Sequence, residues 1–244
     1  MKSRNTFKVK LLFLFQMISI SILAAMEEPS KEFPELSEDE IFSPHGRKHP
    51  LQGKIDLGRY YSPKNIFSCR ANDFGRDDYI VQDVLMEEFT CVGFYNSQAD
   101  FIKAEVLFTP TLENRILDKS DLKDAFESFG IGILKEVDHA QGIEILKEEM
   151  IDEATFFAAI SVERMAVLIA SNGKYMSSTR GYLIFQEGDK LVLLSNQKVT
   201  IPGQKHDPKT HIEMLKKDLL EFRKTFEFFP KSSSPPCLLS EHPH

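Results

Sequence analysis

The sequence predicts an α+β fold in which an antiparallel β-sheet is covered by helices. Three apolar segments rich in β-branched and aromatic residues follow one another between Thr155 and Ser195, joined by short connections. Connections this short favour antiparallel pairing. An amphipathic helix follows them, up to Phe229. With 244 residues, 42% of them hydrophobic, the chain suits one domain with a sizeable core.

The three segments predict consecutive strands. The first has a charged interruption at Glu163 and Arg164, which indicates one long strand with a bulge there. Asn172–Gly173 and Glu187–Asp189 are composed like tight turns. The predicted strands are 155–170, Gly181–Phe185 and Lys190–Ser195.

The helix after these strands has clear signals at both ends. Asp207 is predicted as its N-cap and Pro208 as its first residue, while Pro230 ends it. Its apolar stripe consists of Ile212, Leu215, Leu219, Phe222, Phe226 and Phe229. Such a stripe predicts burial against the sheet. A membrane-surface or partner-binding helix is the alternative, although Glu and Lys alternate on the polar face.

Residues 1–25 have the pattern of a cleavable signal peptide, with four basic residues before an apolar run. That run has 15 residues, from Leu11 to Ala25. It is shorter than the roughly 20 residues that span a bilayer, so no stable membrane span is expected after cleavage. Removing the four basic residues would take the net charge from −7 to −11, which argues against a nucleic-acid partner.

The rest of the chain divides by composition. Residues 26–54 form an acidic, proline-rich segment that is expected to be a flexible leader. The globular domain is predicted over 55–229, and the Ser- and Pro-rich residues 230–244 are expected to be a disordered tail.

The first half of the domain predicts a hairpin, two further strands and a helix. In the strand from Ile102 to Phe108 apolar residues alternate with Lys103 and Glu105, which are expected to point to water. The segments in chain order are Arg59–Ser62 and Ile66–Ala71 for the hairpin, strands Phe89–Tyr95 and Ile102–Phe108, a helix within Glu113–Leu134, and a strand at Ile143–Leu146.

The sequence carries no recognised catalytic or phosphate-binding motif, so no catalytic residue, cofactor or metal site is predicted. Two histidine groups contain residue types that bind metals: the pair His45 and His49, and the cluster of His206, Asp207 and His211. Turn, cap and surface roles explain both groups better than metal binding does. An acidic group of Glu148, Glu149, Asp152 and Glu153 is interpreted as a solvated strand end.

The three cysteines are Cys69, Cys91 and Cys237, the last in the predicted tail. Cys69 and Cys91 lie on predicted strands and form the candidate intradomain disulfide, since export favours oxidation. Two buried free thiols are the alternative.

The order of elements resembles the PsbP-like α-β-α sandwich. The resemblance rests on Tyr61–Pro63 and Phe67–Cys69, on Arg180–Phe185, and on the helix from Ile212 to Phe229. It implies a non-catalytic accessory or binding role and transfers no ligand residue.

These observations predict an exported protein, periplasmic or secreted, that is not an enzyme and binds a protein or envelope partner. A small secreted hydrolase whose active site is scattered along the sequence is the alternative. A secreted factor that acts on a neighbouring cell is a third hypothesis. Functional residues are expected on the loops Asn72–Asp78 and Ser171–Ser178.

Overall fold

Two antiparallel sheets, three α-helices, a π-helical segment and a 3₁₀ turn are the regular elements in the part of the chain described by the structure, a computed structural model. The described residues are 51–71, 80–85, 89–95, 100–108, 115–136, 139–164, 176–200 and 207–229. The small sheet has the order β1-β2-β3-β11. Its strands are β1 (Lys54–Asp56), β2 (Arg59–Tyr61), β3 (Phe67–Arg70) and β11 (Glu227–Phe228). The predicted opening hairpin is β2 and β3, joined by a 3₁₀ turn at Pro63–Asn65.

The large sheet has seven strands in the order β4-β5-β6-β10-β9-β8-β7. They are β4 (Ile80–Leu85), β5 (Phe89–Tyr95), β6 (Phe101–Phe108), β7 (Gln141–Asp152), β8 (Thr155–Arg164), β9 (Ser177–Glu187) and β10 (Lys190–Thr200). Every neighbouring pair is antiparallel. The prediction of an α+β fold with helices on an antiparallel sheet is therefore confirmed at this level.

Helices lie on both faces of the large sheet. One face is covered by α1 (Lys119–Ala125), a π-helical segment (Phe126–Gly132) and α2 (Ile133–Glu136). The other face is covered by α3 (Pro208–Arg223) together with the small sheet. Because strand side chains alternate, each sheet strand supplies residues to both cores. Phe156 and Ile184, for example, face α1, whereas Phe157 and Leu183 face α3.

The α1 helix begins with a reciprocal capping box. The Asp118 carboxylate accepts from the Asp121 backbone N–H at 3.0 Å, and the Asp121 carboxylate accepts from the Asp118 N–H at 3.1 Å. Arg115 adds an ion pair to Asp121 at 2.6 Å. These contacts satisfy backbone donors that a helix start leaves unpaired.

The predicted helix begins where expected, with Asp207 at the N-cap position and Pro208 as its first residue, but the prediction was wrong about its C-terminal end. Asp207 precedes α3, but its side chain makes no capping bond, and only its carbonyl accepts from Thr210. The helix ends at Arg223, so Phe226 and Phe229 lie beyond it. The chain instead forms β11, in which Phe228 pairs with Phe67 of β3. Pairing with a distant strand overrides the helical spacing of these phenylalanines.

The α3 helix approaches the large sheet most closely at Gly181 of β9. A Cβ atom there would lie 2.6 Å from Asn196 Oδ1 and 3.1 Å from Leu215 Cβ. Asn196 of β10 donates from Nδ2 to the Leu215 carbonyl at 3.0 Å. The missing side chain at position 181 thus lets the helix settle on the strands, which determines where its outer face lies.

Several predicted segments lie outside the described residues: the signal peptide (1–25), the leader up to residue 50, the tail (230–244), the second half of the first long strand (165–170), the turn at Asn172–Gly173, the loop Asn72–Asp78 and residues 171–175 of the loop Ser171–Ser178. The tight turn after β9 is present, and Gly188 takes a φ of 59° in it. None of the helices in the described part of the chain is long and apolar enough to cross a membrane.

Candidate functional site

The edge strand β7 is attached to helices on both faces of the large sheet by ion pairs. It spans 12 residues and has β8 as its one neighbour in the sheet order. On one face Lys147 pairs with Glu213 at 2.7 Å, and Glu149 pairs with Lys216 at 2.6 Å, both on α3. On the other face Glu148 pairs with Lys123 of α1 at 2.7 Å. Two register irregularities also bend this edge, a feature that discourages pairing with a further strand.

A surface groove of about 610 Å³ runs along the outer side of α3. The described residues that line it are Glu213, Lys216, Lys217, Leu220, Glu221, Arg223, Lys224 and Phe226. We call this the α3 groove. Its size is within the roughly 300–1,000 Å³ of typical ligand sites, and none of these lining residues is a histidine, serine or cysteine.

The α3 groove has more cations than carboxylates. Its lining residues include four cations and two carboxylates, whereas the whole chain carries a net charge of −7. Lys224 pairs with Glu221 at 2.7 Å, and Lys216 with Glu149 at 2.6 Å. Lys217 is exposed and forms no ion pair with any described residue. The Lys224–Glu221 pair is exposed on both sides and contributes little, so Lys224 can exchange partners.

Arg223 is the best-fixed cation of the groove. Its guanidinium lies over the Phe185 ring at 4.2 Å and donates to Thr155 Oγ1 at 2.8 Å. Asp152 lies 3.8 Å away. Stacking on an aromatic face holds the planar guanidinium in one orientation. The side chain therefore loses little further conformational entropy when a ligand binds to it.

The groove also has an apolar end. Phe226 contacts Phe222, Phe67 and Phe228, with ring centroids 5.1, 5.4 and 5.8 Å apart. Leu220 and Phe226 are both partly buried against the core on the α3 side of the sheet. An apolar end beside a cationic wall can contact an apolar side chain and a carboxylate of one ligand at the same time.

The charges around the groove shift the pKa values of the carboxylates that they pair with. Burial raises the pKa of Glu149, but hydrogen bonds from Lys216 and Lys147 outweigh it and lower the pKa below its ordinary value. The pKa of Asp152 is lowered in the same way, against its burial, by hydrogen bonds from Ala154 and Thr155 and by Arg223. Both carboxylates therefore stay ionised. Glu149 holds Lys216 in place, and Asp152 attracts Arg223.

A second polar cluster lies on the opposite face of the large sheet, over β5, β6, β9 and β10. Lys103 and Glu105 form an ion pair at 2.5 Å, and Glu105 is 8% exposed. Arg180 donates from Nε to Gln197 Oε1 at 2.6 Å and lies over the Phe101 ring at 5.2 Å. The expectation that Lys103 and Glu105 point to water was wrong, because each is the neutralising partner of the other within a largely buried layer.

Comparison with known proteins gives a limited result. No protein-family model and no curated protein matches the chain. The chain is similar to the Ran-binding protein Mog1p of Saccharomyces cerevisiae. The TM-score to its 1.9 Å crystal structure is 0.44 at 14% identity, over 73% of this chain and 96% of that one. A point mutant of Mog1 gives a TM-score of 0.42 at 14% identity over the same shares.

Two predictions are corrected by these neighbours. The resemblance to PsbP-like proteins was wrong, because the similar structures are those of Mog1. The prediction of export to the envelope or the exterior is likewise contradicted by the similarity to a Ran-binding protein.

The two cysteines of the candidate disulfide are buried and free in the structure. Cys69 on β3 belongs to the core on the α3 side. Val92 and Phe94 of β5 face that same core, so alternation turns Cys91 to the opposite face of the large sheet. This geometry favours the alternative of two free thiols. Burial raises the pKa of both, that of Cys91 to about 12, which makes them poor nucleophiles.

The histidine groups considered as metal ligands form no metal site in the described residues. Among these residues no three His, Cys, Asp or Glu side chains are placed to hold an ion. His211 lies on α3, whereas His45, His49 and His206 are outside the described residues.

The acidic group at the end of β7 has a role that sequence reasoning missed. Glu149 and Asp152 neutralise cations of the groove, and the run of charges in Lys147–Asp152 was the available signal.

Proposed function

We propose that this chain is a protein-binding domain whose α3 groove takes an acidic peptide segment with at least one apolar side chain. The observation that carries the proposal is the composition of the groove: four cations and two carboxylates beside Leu220 and Phe226, on a chain of net charge −7. Such a local excess of cations attracts a carboxylate-bearing partner and disfavours a basic one.

The positions of the cations support the same ligand. Arg223 is held in place by Phe185 and Thr155, so it offers a carboxylate a preorganised donor. Lys217 is exposed, and its charge acts on neighbouring Glu221 from the same helix, so it is available to a ligand at the surface. The pair of Lys224 with Glu221 is exposed on both sides and is exchanged at little cost.

Fluorescence anisotropy tests the proposal with a labelled synthetic peptide in which Glu alternates with Phe and Leu. We expect the full chain to bind it, and the Lys217→Glu/Lys224→Glu double variant to bind at least tenfold more weakly, since repulsion replaces attraction. A peptide with Lys in place of Glu should not bind. Affinity should also fall as salt rises, because the groove charges are exposed.

The matched control is Lys135→Glu, an exposed lysine of α2 on the opposite face of the sheet. It makes the same charge change to the chain as the single Lys217→Glu variant, without altering the groove. Equal weakening by Lys135→Glu and Lys217→Glu would mean that the peptide senses net charge alone, and the proposal would be wrong.

The proposal includes the absence of catalysis and of a cofactor. It is tested by incubating the purified chain with a panel of ester, peptide and phosphate substrates. Turnover that disappears on substitution of groove residues would overturn this part and favour a hydrolase.

A further inference from the structure

We infer that the α3 groove is occupied by an acidic segment of this same chain, residues 27–42. The inference rests on the function proposed above, because it names the first ligand of the same groove. The segment precedes Leu51, where the described fold begins.

The charge of the segment is complementary to the groove. Residues 27–42 contain seven carboxylates and one cation, Lys31. The carboxylates are Glu27, Glu28, Glu32, Glu35, Glu38, Asp39 and Glu40. Among the lining residues of the groove cations outnumber carboxylates by four to two. Within one molecule, this is the pairing that Coulomb attraction favours.

The apolar residues of the segment match the other half of the groove. Phe33, Leu36, Ile41 and Phe42 are interleaved with the carboxylates. A short piece of such a sequence can place an aromatic side chain beside Phe226 while neighbouring carboxylates face Lys217 and Lys224. The acidic residues Glu148 and Glu149, by contrast, are already used in ion pairs on β7.

The described fold begins on the face of the large sheet that carries α3, close enough for the preceding residues to reach the α3 groove. The Asp83 carboxylate fixes the entry by accepting from the backbone N–H groups of Gln52 and Gly53, at 2.8 and 2.6 Å. Leu51 packs on the same core as Leu220 and Phe226. Asp83 is on β4, four strands from β9, on which α3 packs: about 19 Å across the sheet at ~4.8 Å per strand, with the outer side of α3 about a further 10 Å above it. The 11 residues from Glu40 to Leu51 span up to about 36 Å when extended.

A tethered ligand competes with any free one. At an effective concentration of about 1 mM, typical of a short linker, a segment with a dissociation constant of about 100 μM would weaken an external peptide roughly tenfold. The groove would then accept a partner only when that partner outcompetes the segment of the chain itself.

The test compares the full wild-type chain with a full chain in which the seven carboxylates are neutralised, Glu→Gln at six positions and Asp39→Asn. The probe is the labelled Glu/Phe/Leu peptide. We expect the neutralised chain to bind it about tenfold more tightly than the wild type, and Lys217→Glu/Lys224→Glu to abolish this gain. Equal affinity of wild-type and neutralised chains would overturn the inference and leave the proposed function standing. No binding by the neutralised chain would overturn both.

Zero-length carbodiimide cross-linking gives an independent measurement, since it joins only lysines and carboxylates in direct contact. In the wild-type chain at low concentration, we expect intramolecular links from Lys217 or Lys224 to carboxylates of 27–40. Links from that segment to Lys135 at equal yield, or an absence of links to α3, would overturn the inference.

Discussion

The Tyr60 hydroxyl donates a 2.8 Å hydrogen bond to Asp83 Oδ2 and so joins the small sheet to the edge of the large one. The same carboxylate accepts two backbone N–H groups, from Gln52 and Gly53. A buried carboxylate is expensive unless its oxygens are satisfied, and here three donors satisfy it. The bond also fixes where the chain enters the fold, which matters for any segment that precedes residue 51.

The first prediction concerns this bond. Asp83→Ala leaves the buried Tyr60 hydroxyl and two backbone donors without a partner, so we expect it to lower the free energy of unfolding by about 3 kcal/mol. Tyr60→Phe removes one donor and should cost only about 1 kcal/mol. Urea denaturation of both variants measures the difference. If the two substitutions cost the same, Asp83 does not act as a shared acceptor.

The second prediction concerns the ion pair of Lys103 and Glu105. Burial lowers the pKa of Lys103, yet attraction to Glu105 outweighs it and raises the pKa well above its usual range. Lys103→Met would leave Glu105, which is 8% exposed, without its partner. We expect a loss of about 2–4 kcal/mol, and recovery of at least half of it in Lys103→Met/Glu105→Leu. A loss under about 0.5 kcal/mol in the single variant would show a solvated surface pair instead.

Elements whose contacts repeat locally along the chain could be predicted from the sequence, whereas elements that depend on distant residues could not. The strand from Ile102 to Phe108 and the stripe of α3 through Phe222 are periodic within themselves, so periodicity located them. The β4 strand was missed because Asp83 interrupts its apolar face, and the donor that makes this tolerable is Tyr60, 23 residues away. Phe226 and Phe229 kept helical spacing although they belong beside β3, about 160 residues earlier in the chain.

The candidate site was less predictable than the fold for the same reason. Lys216, Lys217 and Lys224 look like the solvated face of an amphipathic helix, and that is how the sequence presents them. Lys216 pairs with Glu149 and Arg223 with Asp152, both on the distant strand β7, while Phe226 packs on Phe222 at the end of the groove. No local pattern encodes these contacts.

The third prediction concerns the approach of α3 at Gly181. Gly181→Ala places a methyl group 2.6 Å from Asn196 Oδ1, and we expect a cost of about 1–3 kcal/mol from the displacement that follows. If Asn196 is the obstacle, a double-mutant cycle with Asn196→Ala should show a coupling of at least about 0.5 kcal/mol. Strictly additive costs in denaturant titrations would locate the clash elsewhere.

The fourth prediction concerns the thiols. Cys69 and Cys91 are buried with raised pKa values, so neither should react with a disulfide reagent such as Ellman's in the native chain at pH 8. In denaturant without reductant, we expect three free thiols per chain, those of Cys69, Cys91 and Cys237. A count of one in the wild type and of none in Cys237→Ala would establish the Cys69–Cys91 disulfide and contradict the free thiols of the structure.

The last prediction is a loss of stability at alkaline pH. Burial raises the pKa of the Cys91 thiol and of the Tyr95 phenol, each to about 12. In the unfolded chain the pKa of a thiol is about 8.5 and that of a phenol is about 10. Because the folded state keeps protons that the unfolded state has released, unfolding becomes more favourable as the pH rises. Each such group contributes a slope of up to about 1.4 kcal/mol per pH unit, Cys91 from about pH 8.5 to 12.

Cys91→Ala separates this contribution from the other alkaline groups. The variant should be less stable than the wild type at pH 7 because it loses a buried side chain, but its stability should fall less steeply between pH 9 and pH 11. The difference in slope should approach one proton, measured by urea denaturation at a series of pH values. Cys237→Ala, in the segment after the domain, is the matched control and should leave the slope of the wild type unchanged. Parallel pH profiles for Cys91→Ala and the wild type would mean that this thiol is not buried in its protonated form.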